Sequence, residues 1–142
     1  MYEPIRTKSV HSVARTPADF PHRSRQEELD IQLAGHFSAL LAVTDELRAL
    51  APEPDLDAAA ERLSRQVARL RGGAEPVRAA AGAADPGALA GLHRRAHALA
   101  GRALVVAASR ADTAAAILSA ERMDAHAAYA GRSSAEPAAA LS

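Results

Sequence analysis

Hydrophobic positions along this chain recur at intervals of three and four, which predicts helices from Ser24 onward. β-Branched residues are few and unclustered, so strand signals are nearly absent. Leu29, Leu33, Phe37, Leu40, Thr44 and Leu47 form one stripe, with His36 and Val43 on its edge. Ser24-Arg25-Gln26-Glu27 fits a capping box, in which serine and glutamate each satisfy an orphan backbone donor. Pro52-Glu53-Pro54 ends this first helix, since neither proline continues the backbone ladder.

Leu56, Ala60, Leu63, Val67 and Leu70 give a second stripe, opened by Asp55 or Asp57 as cap and stopped by Gly72-Gly73. Glu61 and Arg65 add an i,i+4 ion pair on its flank. Residues 76–84 read as a short alanine-rich helical piece, so residues 56–84 form either one kinked rod or two helices.

From Asp85-Pro86, a cap followed by a first-turn proline, the pattern predicts one long helix to about Ala130, stopped at Gly131. Its seam runs Leu89, Leu92, Ala96, Leu99, Ala103, Val106, Arg110, Thr113, Ile117, Ala120 and Asp124. A helix of that length spans roughly 65 Å, about twice the width of a small domain. The alternative is a break near Ser109-Arg110-Ala111-Asp112, where Ser109 or Asp112 begins a separate helix. Gly91 and Gly101 weaken the helix locally but let another helix approach closely.

The expected fold is therefore all-α: an antiparallel bundle of three main helices with a long C-terminal helix, completed by dimerisation. Residues 1–23, with prolines at 4, 17 and 21, read as a disordered or extended arm that offers a docking segment for another protein. Residues 24–130 form the bundle domain, and 131–142 a disordered tail. No repeat of solenoid length is visible.

Composition narrows the functional classes. Seventeen basic residues balance seventeen acidic ones, so net charge points to neither nucleic acid nor an anionic membrane. Cysteine is absent, which removes disulfides, thiol nucleophiles and thiolate metal sites. No apolar run approaches membrane-spanning length and the N-terminus has no signal-peptide core, so a soluble cytoplasmic protein is expected. There is no phosphate-cradling glycine loop and no nucleophile elbow.

Histidine is the main candidate for site chemistry. His93 and His97 stand four apart on one helix face, the spacing by which a helix gives two nitrogens to one divalent metal, with His36 as a third ligand. Positions three and four residues from His93 and His36 carry no carboxylate, which argues against a di-iron site. Arg94 stands where a zinc-protease motif needs glutamate. Arg94 and Arg95 also oppose a bound cation, so this stretch equally reads as a solvated face. His11, His22 and His126 lie in or near the tails and carry no assigned role.

Arg94, Arg95 and Arg102 form a row that suits a phosphate or an acidic partner, though such rows are mostly solvated. Arg110 differs in lying on the apolar seam, where it needs an anionic partner. An antiparallel pairing of two chains centred near residues 115–117 brings Arg110 toward Glu121 or Asp124 of the other copy. The expectation is a non-enzymatic helical interaction or regulatory protein, a homodimer through Val106, Arg110, Thr113, Ile117, Glu121 and Asp124. No cofactor is expected. The alternative is a metal- or small-molecule-binding bundle using His36, His93 and His97; a nucleic-acid role is weaker.

Overall fold

The computed structural model describes residues 24–78 and 85–141. The predicted arm at 1–23 and residues 79–84 of the predicted 76–84 piece lie outside the described residues. Residues 76–78, which are described, are not helical. The fold is all-helical, with no strand among the described residues: α1 (Arg25–Leu50), α2 (Pro54–Leu70), α3 (Leu89–Ser109) and α4 (Thr113–Leu141).

Local chemistry accounts for each boundary. Ser24 and Glu27 close the capping box at 3.0 and 3.1 Å. Pro54 takes the first position of α2, where its missing N–H costs nothing, so α2 begins before either aspartate read as its cap. Gly72 and Gly73 both have positive φ, and Gly73 N–H donates to the Ala68 carbonyl at 2.6 Å, the six-to-one bond of a Schellman stop. A 3-10 turn at Pro86–Ala88 leads into α3, with the Asp85 carboxylate accepting from Gly87 N–H.

The single rod from Pro86 to Ala130 does not form; the chain takes the alternative break. Ala111 sits at φ 58°, the same stop is built around it, and Asp112 N–H reaches the Ala107 carbonyl at 2.9 Å. The Asp112 carboxylate then accepts from Ala115 N–H at 3.2 Å and caps α4. A left-handed alanine costs about 1 kcal/mol. The reversal offsets this by folding α4 back along α3, so that Ala115 and Leu118 of α4 join the alanines of α3 in one buried cluster. Conversely, α4 passes Gly131 and runs to Leu141. Gly131 does not adopt positive φ, and a lone helical glycine costs only about 1 kcal/mol.

The turn also resets the helix phase. Thr113, Ile117 and Asp124, expected on the seam, point outward, and Ile117 is 52% exposed. The buried face of α4 is Ala115, Leu118, Ser119, Arg122 and His126 instead.

The core centres on α1, which packs against α2 and α3. Leu33, Phe37, Leu40, Leu47, Leu63 and Val67 are fully buried. Thr44 is buried too, its hydroxyl donating to the Leu40 carbonyl at 2.8 Å. Ion pairs tie α2 to the α4 side along antiparallel axes: Arg69–Asp112, Arg62–Glu121 and Asp55–Arg122. Arg110 pairs with Asp30 of α1 at 2.8 Å. Thus Arg110 and Glu121, read as charges awaiting a second copy, find partners within the chain, and Val106 belongs to the chain's own core. The long exposed rod that the sequence pattern predicts is absent.

Candidate functional site

Because α3 and α4 are antiparallel, the start of α3 meets the far part of α4, and that open end of the hairpin carries the densest chemistry. His93 and His126 come from positions 33 residues apart, yet their Nδ1 atoms lie 2.8 Å from each other. Tyr129, one turn beyond His126, lies flat against the His93 ring, with centroids 3.8 Å apart and planes 13° from parallel. Arg122, one turn before His126, is 3% exposed and donates from Nη1 to the Asp55 carboxylate at 3.0 Å. Its Nη2 lies 3.4 Å from His126 Nε2.

These contacts fix the protonation pattern. A guanidinium only donates, so His126 Nε2 is the acceptor and its proton sits on Nδ1. That Nδ1–H donates to His93 Nδ1, which leaves the His93 proton on Nε2. Among the described residues the only buried side-chain N or O without a partner is Arg122 Nε. His93 Nε2–H is not among those unpartnered buried atoms, and His93 lines open space on two sides, a wide cleft and a smaller pocket beside Arg122. Burial, then the Arg122 charge, then His93 push the His126 pKa down to about 3. Burial foremost, with Arg132 and Arg122, lowers that of His93 against the opposing pull of Glu53. Both rings are neutral at pH 7.

The site opens on a cleft of about 600 Å³. Ala90, Ala127 and Ala130 make its apolar wall, while His93, Arg94, His97 and Tyr129 supply polar and aromatic groups. A few convergent polar groups on an apolar surface, with shifted pKa values, mark a ligand site more often than a random groove.

The histidine trio read from the sequence is not assembled. His93 and His97 share the cleft, but His36 lies beside Arg102, whose charge, after burial, lowers its pKa. Among the described residues no three of His, Cys, Asp and Glu gather as a metal-ligand set. His93 instead spends its Nδ1 on His126, and Arg122 stands next to that pair. Arg94, Arg95 and Arg102 are exposed.

His126, Tyr129 and Arg122 escaped the sequence reading. One signal was present: Leu118, Arg122 and His126 fall at successive intervals of four, the buried face of a helix that starts at Asp112. Comparison with protein-family models, curated proteins and solved structures returns no match.

Proposed function

We propose that this protein is a non-enzymatic helical binding protein whose cleft at the open end of the α3–α4 hairpin takes a small, flat, partly apolar molecule. The observation that supports it most is the His93 ring, held by Tyr129 on its face and His126 at its Nδ1, in the lining of an alanine-walled cleft. Ring and proton are held in place before a ligand arrives, which cuts the ordering cost of binding. Chemistry on the ligand is a weaker reading. His126 is too poor a base at about 3, and the Ser119 and Ser109 hydroxyls are spent on the carbonyls of Ala115 and Val105.

A thermal-shift and ring-resonance screen with heteroaromatic fragments tests this. Fragments that bind should raise the melting midpoint and move the His93 and Tyr129 signals, and Ala127→Leu, which fills the cleft from its wall, should abolish both effects. A screen in which no fragment distinguishes the wild type from Ala127→Leu contradicts the proposal.

A second reading, interaction with a protein or with a second copy, rests on the outward face near the α3–α4 elbow. Val105 is 67% exposed and Ile117 52%, and Ala108, Ala111, Thr113 and Ala116 adjoin Ile117 in a shallow apolar hollow. Exposed large aliphatic side chains beside a hollow are a common contact surface. Light scattering on the wild type and Ile117→Glu decides it: the reading requires a concentration-dependent dimer that the glutamate dissolves.

A further inference from the structure

Arg122 is a buried cation with too little around it. Its only anionic partner among the described residues is Asp55, on the first turn of α2, and the Asp55 side chain is itself 64% exposed. The Nε has no partner among the described residues, and Nη2 has only the long contact to a neutral imidazole. Nε and Nη2 form one edge of the guanidinium fork, the edge that matches two oxygens of a carboxylate or phosphate. Its Nε stands unsatisfied in a group that is 97% shielded, an arrangement that costs free energy wherever it is not compensated.

A second cavity, of about 220 Å³, adjoins Arg122 and both histidines. Arg122 and His126 line it with Glu53, Asp55 and Arg132. Helical side chains lean toward the N-terminus, which brings Arg132 back over the pocket from further along α4. Two guanidiniums face two carboxylates there, so the pocket is balanced as it stands. An added anion fits only by taking the place of a carboxylate, and Asp55, mostly in water, is the one that can leave.

We infer that Arg122 anchors an oxyanion site, in which a carboxylate or phosphate group exchanges for Asp55. Asp55 swings into solvent, the guanidinium turns toward the pocket, and its Nε–Nη2 edge grips the incoming group while Arg132 balances the remaining charge. This pocket shares His93 and His126 with the larger cleft but has its own guanidiniums and carboxylates, and the inference stands whether or not that cleft takes a ligand.

The test is charge rescue, followed by thermal midpoint in the full chain. Asp55→Ala strips Arg122 of its carboxylate and lowers the midpoint in chloride. Inorganic phosphate or acetate should restore it saturably by about 5 °C at saturating concentration, beyond potassium chloride of equal ionic strength. A smaller rise is expected in the wild type, none in Arg122→Gln, and an undiminished one in Ala127→Leu. Phosphate alone, acetate alone or both rescuing Asp55→Ala each support the site and name its ligand class. Should either variant fail to fold, broadening of the phosphate ³¹P resonance by the wild type reads the same contact, with sulfate as competitor. No anion-specific shift beyond chloride, or no broadening, overturns the inference.

Discussion

The two ends of the bundle cover their helices by different means. The α1–α2 half buries long side chains: Phe37, Leu33, Leu40 and Leu63 fill the space between axes. The α3–α4 half closes over alanines such as Ala96, Ala100, Ala103, Ala107 and Ala115, and its open end is occupied by His93, His126, Arg122 and Tyr129. Leucine and phenylalanine bury large apolar areas and pack in many arrangements. Alanine buries little per residue and permits only close approach, so polar groups must complete the surface. The first half fills its space with long aliphatic and aromatic side chains, whereas the second presents directed polar groups at its open end.

The largest break in this comparison is Phe37→Ala. It opens a cavity in the α1 core and should cost about 3–5 kcal/mol, measured by urea unfolding. Ala103→Gly, at an equally buried site in the α3–α4 half, should cost only about 1 kcal/mol.

Acid should break the polar end selectively. His126 titrates near 3 in the folded chain and near 6.5 when unfolded, so below pH 6.5 the unfolded chain binds the extra proton. Stability from this group is fully present above pH 6.5 and falls as pH drops toward 3, by about 1.4 kcal/mol per pH unit. The lowered pKa of His93 acts in the same direction. The slope of stability against pH between 6 and 4.5 should flatten in His126→Gln.

The elbow gives a pair of opposite sign. Asp112→Ala removes the α4 cap and the partner of Arg69 and should cost about 1 kcal/mol. Ala111→Gly relieves the left-handed φ and should gain about 0.5–1 kcal/mol. The smallest effect expected is at the Glu61–Arg65 pair, separated by 3.8 Å with both side chains mostly in water. Arg65→Ala should change stability by less than about 0.5 kcal/mol.

What the sequence made legible follows the same division. The stripes of α1 and α2, the Ser24 capping box and the Gly72-Gly73 stop are all readable, because large apolar spacing and special backbone residues leave local signatures. The break at Ala111 was harder. Alanines on both sides favour continuation, and the residue that takes positive φ is an alanine where such a stop normally shows glycine. Only Asp112 as a cap gave it away, and the phase of every later residue depended on it.

The site followed that error. With α4 treated as an extension of α3, His126 and Tyr129 lay far from His93 and looked incidental. The pairing is created by the reversal, not by any spacing within one helix. His93 and His97 were identified as a helix-face pair and both line the cleft, but the third histidine comes from α4 and not from α1.

The claim that most depends on measurement is the neutral, directional histidine pair. Long-range ¹H–¹⁵N correlation of the histidine rings at pH 7 reads each tautomer directly. The account requires His126 as the Nδ1–H form and His93 as the Nε2–H form, with His126 gaining no proton between pH 8 and 6. A charged imidazolium on either residue at pH 7, or rings that average freely between tautomers, would contradict it.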